Sequence, residues 1–421
     1  MRTKRKILWF CAAQFSDKKI KTTGTWLIAM GNAIAKNADI ELYNVTYGNV
    51  KSIVEKSTHH ITQWIVPHNE RIKYHQGSKV LISFIKKIDN EIKPDLIHIW
   101  GTENGFGFAV VEAKLQVPVL LDIQGLLSSI GSNYYGGLSN KDLLRCIGLK
   151  EILRPKNHPH SVHKKFVERG YHERFLIGHM ENISVQSEWV DSIIRYLSPN
   201  SNIFRTGIML RDEFYETAAW EYNGNSQNIN IFTSCSGAIP YKGLHLIFDA
   251  IALLKNKYPN IRLNIGGNIE IEKKNGIIRD GYTGWLLKKA DQLGITDSIS
   301  WLGMMDADEM IREMKRSSLV VVPSFIESYC LFMAESMIVG VPIVASFAGA
   351  MPELAENNKS ALYFPIGDYW ACAQQIEKII TNQELAEKLS IEARCTAVQR
   401  NDKTTVLQTQ LDIYNRIIHE L

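Results

Sequence analysis

The sequence predicts an α/β protein made of two domains, each built on a parallel sheet. Its 421 residues exceed what a single hydrophobic core usually organises, so two cores are expected. Apolar runs of strand length alternate with longer segments whose apolar residues recur every three or four positions, as βαβ units require. The alternation breaks at the polar, turn-rich stretch EYNGNSQN (221–228), which reads as a linker. The first domain is therefore assigned to 1–206, the second to 207–402, and 403–421 to a C-terminal helix.

The chain opens on MRTKRKILWFCAAQ. Basic residues before an apolar run suggest a secretion signal. The run stops at Gln14 without a cleavage site, however, so a first strand over 7–12 is the better reading. Runs 63–66, 96–100, 117–123 and 183–185 are short and apolar and are predicted to be strands. Between them, 26–36, 80–91 and 108–115 carry helical spacing. In the second domain, strands are predicted over 229–233, 262–265, 299–301, 319–322, 343–345 and 361–364. The helix after the first of these has the clearest pattern, with Leu244, Ile247, Phe248, Ile251 and Leu254 on one face. The tail shows approximate helical spacing too, through Val406, Leu407, Leu411, Tyr414 and Ile418. No run approaches the roughly 20 apolar residues of a membrane span.

Hydrophobic residues at 45% and charged residues at 22% are ordinary for a globular protein in water. The cysteines at 11, 146, 235, 330, 372 and 395 form no CxxC pair, which suits a reducing, cytoplasmic compartment. The net charge of +4 hides an asymmetry. Residues 1–205 hold 28 Lys and Arg against 18 acidic residues, and the remainder holds 20 against 26. A basic first half suggests an anionic partner, such as lipid headgroups of a membrane face or a lipid-pyrophosphate acceptor. The basic residues form no nucleic-acid module, so nucleic acid is not expected.

The most informative segment is 323–354, PSFIESYCLFMAESMIVGVPIVASFAGAMPEL. An apolar strand stops at Pro323-Ser324, Glu327 follows on the loop, and Glu335 comes eight residues later in a stretch of helical length. If 327–335 were wholly helical, the carboxylates would stand roughly 12 Å apart, about the span from ribose to hexose in a nucleoside diphosphate-sugar. The helix start between them, at Tyr329, Cys330 and Leu331, offers free amides and a positive dipole end to a diphosphate.

This segment resembles the donor-binding signature of retaining GT-B glycosyltransferases, the family-4-like group also called glycosyl transferases group 1. The resemblance implies a GT-B fold: two Rossmann-like α/β domains with parallel sheets facing across a cleft, and a last helix returning to the first domain. It implies that Glu327 contacts the donor sugar or its phosphate and that Glu335 binds the ribose hydroxyls. It covers the second domain well, to about residue 400, and the first domain weakly.

Other positions are read with this signature. Lys242-Gly243 follows the strand 229–233 and opens a helix, where a compact cation suits a diphosphate. Relatives carry an arginine after the glycine at the position of Gly237; here Ala238 stands there. Thr22-Thr23-Gly24-Thr25 precedes a helix and resembles the glycine-rich loop under the donor phosphates, making Gly24 and Thr25 candidates. Gln124 stands where relatives often have a histidine; it can hydrogen-bond a sugar hydroxyl but exchanges no proton near neutrality. Glu103, on the loop after the strand 96–100, is a candidate acceptor contact. Gly267 and Met304 follow strands of the second domain and resemble loops that cradle ribose and base.

Two motifs invite a metal and are read otherwise. Asp306-Ala307-Asp308 begins a helical pattern, where aspartates cap free amides. His158, His160 and His163 have no carboxylate or cysteine at ligand spacing. They sit in 141–174, where nine Lys and Arg accompany four acids, with Leu143, Leu144, Ile147 and Phe166 interleaved. This stretch is the candidate membrane- or acceptor-facing surface; a plain basic helical face is the alternative.

The sequence thus predicts a cytoplasmic, metal-independent hexosyltransferase with no cofactor, at the inner face of the cell membrane. Its donor would be a UDP- or GDP-sugar and its acceptor lipid-linked or an oligosaccharide, in surface polysaccharide assembly. The catalytic groups would be Lys242 and Glu327. A hydrolysing nucleotide-sugar epimerase, or a GT-B binding subunit impaired by Ala238 and Gln124, are the alternatives.

Overall fold

The computed structural model describes residues 4–16, 25–58, 60–68, 78–222, 228–269, 271 and 281–419. The chain divides into two compact units. The first comprises Met1–Ser128, Glu168–Arg211 and Asn401–Leu421; the second comprises Ser129–Val167 and Asp212–Arg400.

Strands of the first unit are β1 (Arg5–Phe10), β2 (Ile40–Gly48), β3 (Val54–Thr58), β4 (Ile61–Pro67), β5 (Leu96–Trp100), β6 (Val119–Asp122), β7 (Asn182–Val185) and β8 (Asn202–Arg205). They form one sheet in the order β3-β4-β2-β1-β5-β6-β7-β8. All neighbours are parallel except β3, which pairs antiparallel with β4 and closes one edge. The interior strands are buried on both faces, as strands covered by helices must be. Ile7 to Phe10 and Leu96 to Trp100 are all buried.

The last helix, Lys403–His419, belongs to this unit. Its buried side chains are Val406, Gln410, Ile413, Tyr414 and Ile417. The expected face is therefore corrected: Leu407, Leu411 and Ile418 are only half-buried. Polar Gln410 takes an inward position because Thr206 Oγ1 donates to its Oε1 at 3.0 Å. Trp9 Nε1 donates to Tyr414 Oη at 3.0 Å, and His98 Nδ1 lies 2.8 Å from the same oxygen.

The second unit holds β9 (Asn230–Ser234), β10 (Arg262–Gly266), β11 (Ile299–Gly303), β12 (Leu319–Val322), β13 (Ile343–Ser346) and β14 (Leu362–Phe364). They are parallel neighbours in the order β11-β10-β9-β12-β13-β14. The helix Leu244–Lys255 covers this sheet. The apolar face predicted for it is the buried one, each side chain contributing about 2 kcal/mol by leaving water. Among the described residues no helix is long and apolar enough to cross a membrane.

Candidate functional site

In the second sheet the chain runs outward from β9 through β10 and β11, then returns to the other side of β9 as β12. The loops leaving the carboxyl ends of β9 and β12 therefore diverge, and such a switch point is where open α/β sheets hold ligands. Lys242 lies in the first loop and Glu327 in the second. A main-chain bond from Phe325 N to Tyr241 O at 2.7 Å joins the two loops.

Lys242 Nζ meets Glu327 Oε1 at 2.6 Å, and Ser324 Oγ donates to the same oxygen at 2.7 Å. The ion pair is largely buried, with 19% of the lysine and 13% of the glutamate side chain exposed. Burial works against the ammonium, but the Glu327 carboxylate outweighs it and holds Lys242 above its ordinary value of 10.5. The lysine therefore presents a fixed positive charge.

Two glycines make this geometry possible. Gly243, at φ 75°, lets the helix Leu244–Lys255 start against the β12 loop; an added Cβ would lie 2.0 Å from the Pro323 carbonyl oxygen. Gly349, at φ 54°, passes over Glu327, whose carbonyl accepts from Ala350 N at 2.9 Å. No L side chain fits either position without moving backbone.

Glu335 lies on the helix Leu331–Val339, which begins only at Leu331. The wholly helical span from Glu327 that would separate the carboxylates by about 12 Å is thus not formed. Glu327 is on the loop, turned toward Lys242. Cys330 precedes the helix at φ 87° with no side-chain cap bond, and the positive end of the helix faces this loop. Tyr329 and Cys330 are buried and Leu331 half-buried. Burial, with Glu327 adding, pushes the Cys330 thiol far up, so it is neutral. Glu335 is buried.

The loops at the other edge are tied together. Gly267 N donates to Gly303 O at 2.8 Å, immediately before Met304. Asp306 caps the helix Ala307–Arg316 in a reciprocal box with Glu309, as its place at a helix start predicts. His160 Nδ1 bonds Tyr135 Oη at 2.6 Å, and the His163 ring lies 4.6 Å from that of Tyr135.

In the first unit, Glu103 follows β5 and Gln124 follows β6. They converge: a Cβ built on Gly101 would lie 2.2 Å from a Glu103 carboxylate oxygen and 3.4 Å from Gln124 Oε1. Gln124 Nε2 is buried and meets no acceptor among the described residues. Thr25 opens the helix Thr25–Ala35, whereas Gly24 lies outside the described residues.

Sequence reasoning missed what fixes these two loops. Buried Glu173 accepts from Thr102 Oγ1 at 2.6 Å after β5, and from Leu127 N at 3.0 Å and Ser128 N at 3.1 Å after β6. Arg169 donates to Glu103 O at 3.1 Å. Both residues belong to a stretch expected to face outward. Only their burial separates them from the surface charges around them.

Burial pushes the Glu103 carboxyl up to about 7, with Glu173 adding against the backbone amides and Arg169. Buried Asp122 is likewise raised to about 7, against hydrogen bonds from Ser184 and Gln186. A raised acid binds its proton longer in the folded state than in the unfolded one. Its cost is therefore absent below its ordinary value of 4.5, grows toward about 7 and stays constant above. Glu103→Gln is expected to stabilise the protein by about 2 kcal/mol above neutrality, with the gain vanishing toward pH 4.5. Denaturant melts across that range would show a gain independent of pH if Glu103 titrated normally.

Comparison with known proteins agrees with this architecture. Residues 221–396 match the family model of glycosyl transferases group 1. An uncharacterized glycosyltransferase of Methanocaldococcus jannaschii is 23% identical over 372 residues, covering 85% of each chain. A D-inositol 3-phosphate glycosyltransferase of Mycobacterium sp. (strain KMS) is 34% identical over 142 residues, 34% of this chain and 30% of the relative. Among solved structures, sucrose-phosphate synthase of Thermosynechococcus elongatus superposes with a TM-score of 0.73 at 14% identity, over 99% of this chain and 100% of that one. Anabaena HepE in complex with UDP and glucose gives 0.67 at 17% identity, over 98% and 100%. With two α/β units on parallel sheets the chain has the GT-B fold, and residues 221–396 of its second unit match the group 1 glycosyl transferases.

Proposed function

We propose that the protein transfers a hexose or hexose derivative from a nucleoside diphosphate-sugar to an acceptor hydroxyl with retention at the anomeric carbon. The observation that carries this reading is the Lys242–Glu327 pair at the carboxyl-end switch point beside an uncapped helix start. A fixed cation and a helix start suit a diphosphate, and a carboxylate beside them suits a sugar hydroxyl. That HepE is described with bound UDP and glucose supports a uridine donor.

In this mechanism the acceptor oxygen approaches the anomeric carbon on the face the diphosphate leaves. The bond from that carbon to the β-phosphate oxygen breaks, its electrons depart with the nucleoside diphosphate, and the acceptor proton passes to a phosphate oxygen. Lys242 and the amides at Leu331 stabilise the developing phosphate charge, the main catalytic term. Glu327 orients the sugar and Lys242 together, and Glu335 holds the ribose. On the first unit, Glu103 and Gln124 are assigned to sugar hydroxyls. Asp306 is engaged as a helix cap, which supports leaving-group stabilisation without a metal. The setting we assign is cytoplasmic surface polysaccharide assembly on a lipid-linked or oligosaccharide acceptor.

Isothermal titration with UDP, run with chelator present, tests the donor site. Glu335→Ala is expected to weaken binding about tenfold, the worth of one charge-assisted hydrogen bond. Unchanged affinity would remove Glu335 from the ribose site, and wild-type binding abolished by chelator would reinstate a metal.

A further inference from the structure

Residues Ser129–Val167 lie between segments of the first unit in sequence but belong to the second unit. They are anchored inwardly by buried groups. The tautomer that satisfies both of its partners has His245 donating from Nε2 to Gly136 O at 2.8 Å and accepting at Nδ1 from Tyr282 Oη at 2.9 Å. Leu143, Cys146 and Glu151 are buried, and Glu151 accepts from Gly148 N at 2.9 Å.

The outer face is different in kind. On the helices Asn140–Arg145 and Leu149–Leu153, Leu144 is 66% exposed, Leu149 52%, Ile152 65% and Leu153 62%. Lys141, Arg145, Arg154 and Lys156 are exposed among them, with Lys150 half-exposed. The segment holds seven Lys and Arg and two acids. Of those acids, Glu151 is buried and Asp142 pairs with Arg145 at 3.7 Å. Large apolar side chains held in water thus sit within charge of one sign. This corrects the surface expected over 141–174: of the apolar residues expected there, Leu143, Leu144, Ile147 and Phe166, only Leu144 is exposed, and the helix carrying Arg169 and Glu173 turns those two inward.

We propose that this face docks on an anionic phospholipid surface, with the four aliphatic side chains entering the headgroup boundary and the cations lying among the phosphates. Both halves of the patch gain from that partner: the apolar side chains leave water and the cations meet negative headgroups. A second copy meeting the same face would oppose like charges. A nucleic acid would neutralise the cations but leave the aliphatic groups in water. Docking needs no turnover, so it is testable apart from the transfer reaction.

The test is flotation of the full chain with vesicles of phosphatidylcholine alone or with a minor share of phosphatidylglycerol. The wild type is expected to float with the anionic vesicles only, and added salt to weaken this. Leu144→Ser/Ile152→Ser/Leu153→Ser should reduce flotation at least tenfold, as should Lys150→Glu/Arg154→Glu/Lys156→Glu. Thermal melting should be unchanged, because every substituted side chain is at least partly exposed. Failure of the wild type to float, or equal flotation by either variant, would overturn the proposal. So would a wild-type dimer in analytical ultracentrifugation that the Ser variant abolishes, because it would assign the face to a second copy.

Discussion

Lys242→Ala is expected to lower turnover at least ~10-fold, because the proposed mechanism places its charge-assisted contact on the leaving diphosphate, where the transition state needs it most. Substrate-independent consequences separate this from simple damage. Removing the ammonium leaves the Glu327 carboxylate largely buried beside the Ser324 hydroxyl, a loss of about 3 kcal/mol for a broken buried pair. The double variant Lys242→Met/Glu327→Gln leaves no unpaired charge and should regain most of that stability without regaining turnover. The ion pair also has a pH signature. Because Lys242 is raised in the folded state, its contribution is full below 10.5 and is lost as pH climbs beyond. Wild-type turnover in the alanine variant would assign the diphosphate to another cation. A double variant as unstable as the single one would mean that the pair is not where the stability lies.

Gly243→Ala should cost about 3 kcal/mol or more, although it adds one methyl group. The residue sits at φ 75°, and the new Cβ would stand 2.0 Å from the Pro323 carbonyl oxygen, which is backbone and cannot swing aside. Relief requires the Lys242 turn to separate from the β12 loop, so the Lys242–Glu327 contact should be lost with the stability. Gly284→Ala is the control: its Cβ would meet nothing within 4 Å, and helix propensity favours alanine there by about 0.5–1 kcal/mol. Urea melts of the two variants should move in opposite directions; a Gly243→Ala midpoint at the wild-type value would refute the close approach.

Much of the fold was legible where burial and periodicity coincide. Strands 96–100 and 319–322 were read to the residue, and the helix after β9 buries the predicted face. What escaped was polar on paper. β2 reads as a mixed segment because Asn44 and Thr46 interrupt it, yet both are buried. Asn44 Nδ2 donates to Ala13 O at 3.2 Å, a partner only the folded chain provides. β3, VEKST, is a solvated edge with no apolar pattern to find. At the candidate site, the loop–helix–strand grammar around Glu327 and Glu335 was readable. The 2.6 Å contact between Glu327 and Lys242 was not, because it joins residues 85 positions apart. Glu173 left no trace at all, since a buried carboxylate holding four donors looks in sequence like any glutamate in a charged helix.

The bond from Trp9 to Tyr414 spans 405 positions, and this governs the order in which the protein is finished on the ribosome. The core strand Arg5–Phe10 waits for a phenol that emerges 405 residues after Trp9. The second unit's segments, 129–167 and 212–400, are both translated before that happens. A nascent chain therefore holds a completed second sheet while the first sheet still lacks its closing helix, with Trp9 and His98 unsatisfied. Any stop before residue 401 removes that helix entirely, so late truncations remove the cover of the first-made core.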